Sequence, residues 1–426
     1  MKRTTGKRAR RVKIAAAAMA AMMTVSMATP AMAATQYTAL PGTTSTFEKF
    51  LIMKEDASVP NAEFAYTITG TGNARTYDVA GTNKKVQVLD GVGTPTITWD
   101  SQGATASSVK FGPTDATTTK AANDAAAHKD PVKNLAAGEK YAKHTATVSF
   151  ANCNYTEPGI YRYKISETAT TQKAITNDDN LDRYLDVYVV DNNGTLAIGG
   201  YVLHASADDL PMNDTNGTVG ANPEGKSQGY SNRYSTHNLT FSKTVAGNQA
   251  SRDKYFKFHV KIENATAGTV YTVSLADDSN ANTTDGNADA TPTKTDATVY
   301  TSMSNPTSLT ANASGVVEAD FYLQHGQSIV VRGLADTTKY TVTETQEDYK
   351  PNVTATEGTV AAAKNSVVVD SSAVDNTEAF TNTRNGVVPT GILMTVAPFA
   401  ALTLCGGFGA ATIVMKSRKK EEDEEE

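Results

Sequence analysis

Apolar and polar residues alternate in short runs along most of the chain, and Gly, Asn, Asp and Pro bound these runs. Alternation with a period of two places one set of side chains on a buried face and the other in solvent, as in antiparallel strands. No long segment between the two ends of the chain has a helical period. The pattern therefore predicts an all-β fold made of β-sandwiches. The clearest runs are residues 64–68, 161–165, 184–190, 256–262, 328–331 and 340–343.

Three low-complexity stretches interrupt the alternation. Residues 103–136 and 276–297 are rich in Thr, Asp, Asn and Ala, and residues 213–229 are rich in Gly and Asn. Such compositions are typical of loops on the protein surface. We therefore expect all three stretches to be exposed loops or insertions between strands.

The N-terminus has the three parts of an export signal in their usual order. Seven Lys and Arg lie within the first 13 residues, an apolar run rich in Ala and Met extends to about Met27, and the small-x-small pattern Ala31-Met32-Ala33 follows. This order predicts a secretory signal peptide over residues 1–33. The alternative is an uncleaved membrane anchor, against which the shortness of the apolar run argues.

The C-terminus, residues 387–426, has the organisation of a sorting signal. The pentapeptide VVPTG (387–391) precedes residues 392–415, which carry no charge and would span about 36 Å as a transmembrane helix. Four Lys and Arg within residues 416–420 would hold that helix on the cytoplasmic side. The Cys thiolate of a sortase would then attack the Thr390 carbonyl and release Gly391. The alternative is a single-pass membrane protein with an accidental pentapeptide.

Charge and cysteine content limit what the mature chain, residues 34–390, can be. Of 39 Lys and Arg, eleven lie in the terminal segments, as do six of 45 Asp and Glu, which leaves a mature net charge of about −11. No basic patch remains to bind nucleic acid. Cys405 lies in the sorting segment, so Cys153 stays alone and no internal disulfide can form. We expect Cys153 to be a buried small residue rather than a nucleophile.

The mature chain contains an internal repeat. A Lys near the start of each unit is followed, at the same distance in both units, by a Phe, then by a Tyr-x-x-x-Glu segment, and finally by an aromatic residue two positions before an Asn. Because the second copy starts at residue 240, we predict domains over residues 34–236 and 237–386. The paired segments are 46–49 and 240–243, Phe64 and Phe258, 163–167 and 340–344, and 230–232 and 380–382.

A Lys, a Glu and an Asn that meet in a dry core can react together. Burial disfavours both charged forms, so the lysine becomes a nucleophilic amine and the glutamic acid stays protonated. The acid can polarise the Asn carbonyl and carry protons while the amine displaces ammonia. The product would be a Lys–Asn isopeptide bond, which could replace the missing disulfides. The alternative is three polar residues that face solvent at strand edges.

The chain resembles the major backbone pilins of Gram-positive sortase-assembled pili, of the streptococcal T-antigen type. The resemblance implies two tandem immunoglobulin-like (CnaB-type) sandwiches, each with a self-generated bond. In the first sandwich the bond would join Lys49 to Asn232 with Glu167 as catalyst. In the second it would join Lys243 to Asn382 with Glu344 as catalyst. The segments that carry the resemblance are 47–49 with 59–61, 157–167, 239–245, 333–344 and 380–384 leading into 387–391.

The resemblance also implies an acceptor lysine for the sortase thioester. Lys226 lies six residues before Asn232, about one position from the family's spacing, in a small and polar context. A plain surface lysine is the alternative.

The family's partners would be a sortase, identical subunits, accessory pilins, peptidoglycan and possible host receptors, on a wall-anchored pilus. A monomeric wall-anchored adhesin of the same fold is the main rival. A surface enzyme finds no support, because six His without metal-ligand spacing and one Trp indicate neither a metal or cofactor site nor a sugar site.

Overall fold

The computed structural model describes residues 42–386, with gaps at residues 79–82, 84, 101–106, 121–131, 133–134, 212–224 and 278–304. The predicted signal peptide and sorting signal, with the helices expected there and with Thr390 and Gly391, lie outside the described residues. Within those bounds, no helix is both long enough and apolar enough to cross a bilayer.

The first half of the described chain is built of strands rich in β-branched and aromatic residues, which favour the pleated conformation. These strands are β1 (Thr44–Lys54), β2 (Ala62–Gly70), β3 (Arg75–Asp78), β4 (Lys85–Asp90), β5 (Thr96–Trp99), β6 (Ser108–Phe111), β7 (Thr117–Thr119), β8 (Glu139–Ser149), β9 (Gly159–Glu167), β10 (Ile175–Thr176), β11 (Asp182–Asn192), β12 (Thr195–His204) and β13 (Gly229–Tyr234).

The second half follows the same rule. In the strand over Phe256–Glu263, for example, the aromatic and aliphatic residues at every second position are buried. The strands are β14 (Thr236–Ala246), β15 (Phe256–Glu263), β16 (Val270–Asp277), β17 (Ser308–Thr310), β18 (Val317–Leu323), β19 (Gln327–Ala335), β20 (Lys339–Glu344), β21 (Lys350–Ala355), β22 (Thr359–Val360), β23 (Ser366–Val369) and β24 (Asn376–Thr383).

Strands β1 to β13 form two sheets around one core. The first sheet has the order β10-β13-β1-β8-β5, and β7 also pairs with β8. The second has the order β12-β11-β9-β2-β6, and β4 joins the start of β9 in parallel. The facing sides enclose a core that includes Phe47, Tyr66, Tyr163 and Tyr230. The first strand of the unit, β1, and its last, β13, lie side by side and parallel.

Strands β14 to β24 repeat this arrangement. One sheet has the order β17-β16-β19-β14-β24-β21 and the other β18-β15-β20-β23-β22. A separate core that includes Phe241, Phe258, Phe321 and Phe380 lies between them. Here too the first strand, β14, pairs in parallel with the last, β24. The prediction of an all-β fold with tandem sandwiches is therefore confirmed for the described residues.

The two units are joined without a flexible linker. β13 ends at Tyr234 and β14 begins at Thr236, so only Ser235 separates them. Polar contacts cross the junction, among them Lys54 Nζ to Asp375 Oδ1 at 3.2 Å and Asn61 Nδ2 to the Ala267 carbonyl at 2.7 Å. The last strand of one unit therefore continues almost directly into the first strand of the next.

The low-complexity stretches are not all loops. Residues 103–136 contain β6 and β7, and Val109 and Phe111 of β6 are buried, so low complexity around them concealed short strands. Gly229 begins β13 at the end of the 213–229 stretch, and β16 continues to Asp277 within the 276–297 stretch. Apolar residues at alternate positions were the signal in β6, but four residues are too few to stand out from their surroundings.

Candidate crosslinking sites

The register between β1 and β13 places Lys49 and Asn232 on one face. Lys49 is opposite Tyr230 and Leu51 is opposite Asn232, so Asn232 lies two positions beyond the direct partner of Lys49. Because side chains alternate between the two faces of a strand, both side chains point into the core. Glu167, at the end of β9 in the facing sheet, points into the same space.

Three short polar contacts join this first cluster. Lys49 Nζ lies 2.6 Å from Glu167 Oε2, and Asn232 Nδ2 donates to Glu167 Oε1 at 2.8 Å. The Tyr66 hydroxyl donates to Glu167 Oε2 at 2.6 Å. Lys49 and Asn232 are fully buried and Glu167 is almost so. One carboxyl group therefore contacts the lysine and the asparagine at the same time, out of water.

The second cluster has the same strand register as the first. Lys243 is opposite Phe380 on β24, and Asn382 again lies two positions further along. Lys243 Nζ lies 2.6 Å from Glu344 Oε1, and Asn382 Nδ2 donates to the same oxygen at 2.7 Å. The structure thus brings together both sets of residues that the sequence singled out, on the same diagonal of a parallel strand pair.

Burial sets the protonation of these groups. Desolvation lowers the pKa of Lys49 to about 8, although its contact with Glu167 opposes the shift. The same cause lowers the pKa of Lys243 to about 8. Burial also raises the pKa of the Glu344 carboxyl, against the effect of Lys243. Each lysine can therefore give up its proton near neutral pH, which is what a nucleophilic amine requires.

Aromatic rings surround both amines. Lys49 Nζ lies 4.3 Å from the centroid of the Phe64 ring, and Lys243 Nζ lies 4.4 Å from that of Phe256. The sequence repeat pairs Phe64 with Phe258, and the structure shows that this correspondence is wrong by two positions. Phe258 is opposite Glu344, as Tyr66 is opposite Glu167. Counting from the lysine misled because Phe64 lies 15 residues after Lys49, whereas its counterpart Phe256 lies 13 residues after Lys243.

The two clusters differ in how many of their polar atoms have a hydrogen-bond partner. In the first, the Asp178 backbone N–H donates to Asn232 Oδ1 at 3.0 Å. In the second, Asn382 Oδ1 and Glu344 Oε2 have no hydrogen-bond partner within the described part of the chain. Glu344 Oε2 lacks a partner because Phe258 lies at the position where, in the first cluster, Tyr66 supplies a hydroxyl. Sequence reasoning missed both Tyr66 and Asp178, because their roles depend on strand register and loop path.

Lys226 lies outside these cores. It forms an isolated antiparallel bridge with His204 at the end of β12, and the N–H groups of Ala205 and Ser227 complete the pairing. Residues paired across such a bridge project to the same face of a sheet. His204 lies on the outer face, where its Nε2 is 3.0 Å from Asp186 Oδ2. Lys226 is half-buried on this outer face, and burial lowers its pKa.

A buried ion pair supports the segment next to Lys226. Arg162 binds both carboxylate oxygens of Asp186, at 2.6 and 2.8 Å. Its remaining donors reach the carbonyls of Ala207 and Asp209 at 2.7 and 2.9 Å. The chain that follows β12 is thereby tied to the outer face of the sheet. Lys226 was predicted in an accessible loop, whereas the structure places it against this fixed edge.

Glu378 on β24 is a buried carboxyl group that the sequence did not single out. It is fully buried, neither oxygen has a hydrogen-bond partner within the described residues, and burial raises its pKa from 4.5 to about 9. A carboxyl group whose pKa is raised on folding lowers the stability of the folded state at every pH at which the same group is ionised in the unfolded chain. Stability should therefore be highest below about pH 4.5 and fall as the pH rises toward about 9, with a cost of about 3 kcal/mol at pH 7.

We expect Glu378→Gln to remove most of this pH dependence and to stabilise the second unit at pH 8. Denaturant unfolding between pH 5 and pH 9 would measure the effect. Glu357→Gln is the matched control, because Glu357 is exposed in the same unit. Parallel pH curves for wild type and Glu378→Gln would show that Glu378 is not the group responsible.

No cluster of three or more His, Cys, Asp or Glu side chains suited to a metal ion occurs in the part of the chain that the structure describes. Cys153 is buried and unpaired. Its neighbours Tyr155 and Tyr163 are phenols, and desolvation raises the pKa of its thiol. The surroundings of Cys153 are therefore those of an inert core residue.

Comparison with known proteins finds one family match in each unit. Residues 109–235 match the family FctA, described as a Spy0128-like isopeptide containing domain. Residues 237–384 match a domain of unknown function, DUF7601. The first match contains Glu167 and Asn232, and the second contains Lys243, Glu344 and Asn382.

Similar proteins come from streptococci. A pilin of Streptococcus pyogenes serotype M1 is 27% identical over 283 residues, which cover 64% of this chain and 72% of that protein. The pilus tip adhesin Cpa of Streptococcus pyogenes is 27% identical over 158 residues, or 37% of this chain and 18% of the adhesin. Among solved structures, the major pilin from Streptococcus pyogenes aligns over 82% of this chain and all of its own, with 20% identity and a TM-score of 0.47. The chain is homologous to a streptococcal pilin over 64% of its length, and its residues 109–235 match the family model of the Spy0128-like isopeptide containing domain.

Proposed function

We propose that the chain is a shaft subunit of a covalent surface pilus, stiffened by two internal Lys–Asn crosslinks. The observation that carries the proposal is the pair of buried Lys–Glu–Asn clusters, built on the same diagonal of a first-to-last strand pair. Two independent clusters with the same geometry are far less expected by chance than one. The similarity to a streptococcal pilin also supports a pilus subunit.

Each crosslink forms by displacement of ammonia. Neutral Lys49 attacks Asn232 Cγ, and the carbonyl electron pair moves onto Oδ1. Glu167 lies between the two nitrogens, with Oε2 at the lysine and Oε1 at the leaving amide nitrogen. Its first oxygen takes a proton from Nζ and its second gives one to Nδ2, so ammonia leaves and the carboxyl group is regenerated. Lys243, Glu344 and Asn382 would react in a similar way, but both nitrogens contact Glu344 Oε1, so this one oxygen would take the proton from Nζ and give it to Nδ2.

Polymerisation would use a separate chemistry. A pilus-type sortase would cleave between Thr390 and Gly391 and hold the Thr390 carbonyl as a thioester. The Lys226 amine of another subunit would then resolve the thioester, and repetition would build the shaft. The protein would have no turnover of its own and would need no cofactor. Its partners would be the sortase, identical subunits, accessory pilins and peptidoglycan, with the precursor briefly held in the membrane.

The crosslinks test the first half of the proposal. We expect a recombinant chain of residues 34–390 to be lighter than its sequence mass by two ammonia molecules, measured by intact-mass spectrometry. Fragment spectra should assign one loss to Lys49 with Asn232 and the other to Lys243 with Asn382. A chain of full sequence mass after complete folding would overturn the crosslinks.

A blot of wall extracts tests the second half. A shaft subunit should give a ladder of high-mass bands that resists boiling in detergent. The second candidate is a monomeric wall-anchored adhesin of the same fold, and the similarity to a pilus tip adhesin over 158 residues supports an adhesive role only. That candidate requires a single wall-attached band, and such a result would exclude polymerisation.

A further inference from the structure

The first cluster holds a donor where negative charge would develop. The oxygen of the Asn232 side chain, Oδ1, accepts from the Asp178 backbone N–H at 3.0 Å. The nitrogen of the same amide donates to Glu167. The amide is therefore oriented, with its leaving group at the acid and its oxygen at a backbone donor. This is the arrangement that an acyl-transfer reaction needs at its tetrahedral stage.

The Asp178 N–H is fixed by its own side chain. Arg183 Nη2 lies 3.1 Å from both carboxylate oxygens of Asp178. The Ser231 N–H, one residue before Asn232, donates to Asp178 Oδ2 at 2.7 Å. Arg183 Nε also donates to the Gly229 carbonyl at 3.0 Å. The Asp178 loop and the strand that carries Asn232 are thus locked to one another by a mostly buried ion pair.

The second cluster provides the comparison within the same chain. Asn382 Oδ1 is buried and has no hydrogen-bond partner within the described residues. Its nitrogen and Lys243 both contact Glu344 Oε1, whereas Asn232 and Lys49 contact different oxygens of Glu167. The two sites therefore differ at the carbonyl oxygen while they share the nucleophile and the acid. A further difference, the Tyr66 hydroxyl, acts on the acid and not on the amide.

We propose that the Asp178 backbone N–H is an oxyanion donor for the first crosslink, and that Arg183 is the positioning residue that holds it there. The inference rests on the proposed crosslinking function. As the bond between Lys49 Nζ and Asn232 Cγ forms, the carbonyl pair moves to Oδ1, where the N–H stabilises it. When ammonia leaves, the electron pair on Oδ1 re-forms the carbonyl. The Asp178 N–H therefore keeps its proton throughout the reaction.

Refolding kinetics can test this inference in the full mature chain. The chain of residues 34–390 is isolated unfolded, diluted into folding buffer, and quenched with acid at intervals. Mass spectrometry of digested samples then gives the rate of each crosslink separately. The Lys243 crosslink serves as the internal control for folding and handling.

Three variants separate the donor from its support. Asp178→Pro removes the N–H, Arg183→Met removes the support, and Asp178→Asn keeps an acceptor for the Ser231 N–H. We expect the first two to slow the Lys49 crosslink by about 100-fold, in line with the loss of one oxyanion donor. Asp178→Asn should recover most of the rate, and the Lys243 crosslink should keep its rate throughout. Asp179→Ala is the matched surface control.

The pH dependence distinguishes a donor from a general support of the fold. Asp178→Pro and Asp178→Asn both remove the carboxylate that raises the pKa of Lys49, so the two variants are compared with each other. Loss of the donor should lower the rate of Asp178→Pro below that of Asp178→Asn at every pH and leave the two midpoints equal. A loosened core would admit water, raise the pKa of Lys49 and move the midpoint to higher pH. Such a shift with an unchanged maximum rate would overturn the inference, as would a wild-type rate in Asp178→Pro. If Asp178→Pro does not fold, Arg183→Met and Asp178→Asn decide the matter by their maximum rates above the midpoint, because Arg183→Met also removes a charge that lowers the pKa of Lys49. A wild-type chain that forms no Lys49 crosslink would instead overturn the proposed function.

Discussion

Lys226→Ala should abolish the ladder of pilus polymers and leave a single wall-attached band. Lys226 is half-buried on the outer face of the first unit, and burial lowers its pKa, so more of its amine is neutral than in a free lysine. The Arg162–Asp186 pair holds the neighbouring segment in place, which presents the amine in a constant position. With no amine at this site, the sortase thioester can be resolved only at the wall. A blot of wall extracts measures the result.

Lys173→Ala is the control, because Lys173 is an exposed lysine in the same unit. It should give the wild-type ladder. The Lys226→Ala subunit should still lack two ammonia molecules, because Lys226 does not touch either buried cluster. A ladder that persists in Lys226→Ala would assign the acceptor to another lysine.

Glu167→Ala and Glu344→Ala should each prevent one crosslink and strongly destabilise one unit. The bonds would close long loops, one from Lys49 to Asn232 and the other from Lys243 to Asn382, and each loop spans nearly a whole unit. In the chain-entropy description of crosslinks, loops of this size are worth about 5 kcal/mol each. For units of this length, that corresponds to a fall in Tm of about 10–20 °C. The lysine left behind in the core adds to the loss, because it must stay neutral or be buried as an unpaired charge.

Calorimetry with intact-mass spectrometry on the same samples checks these expectations. Each variant should regain one ammonia molecule and show a lower transition for its own unit only. Glu157→Ala and Glu357→Ala are matched controls, since both residues are exposed, one in each unit. A variant that loses the crosslink but keeps its Tm would show that the bond serves some need other than stability.

The order of Lys, Glu and Asn along each repeat was enough to identify the members of both clusters. Their meeting in space follows from the pairing of first and last strands, which the sequence pattern alone does not specify. The pattern also located β2, β9, β11, β15, β19 and β20, because a period of two with aromatic and β-branched residues is a strong local signal. It failed in β6 and β7, which are short and lie in a Thr-rich and Asp-rich context.

Contacts that depend on register could not be predicted. Phe258 was matched to Phe64 by counting from the lysine, whereas the sheet pairs Phe258 with Glu344 and makes it the counterpart of Tyr66. Asp178 lies in a polar turn that resembles any other loop in the sequence. Only the path of that turn over β13 brings its N–H to Asn232. Glu378 was also missed, since a glutamate between Thr377 and Ala379 gives no sign of burial in the sequence.

The direct junction between β13 and β14 has a mechanical consequence for the proposed fibre. Tension that enters at Lys226 passes along β13, through Ser235, and along β14 to Lys243. There the proposed crosslink would transfer it to Asn382, and from Asn382 it would leave through Thr390. This route contains only the segments 226–243 and 382–390. The rest of both sandwiches is outside the line of force, so each subunit would behave as a short tether with almost no length to release. A pilus of such subunits would transmit a pull to the cell wall without lengthening, and its sandwiches would stay folded under load.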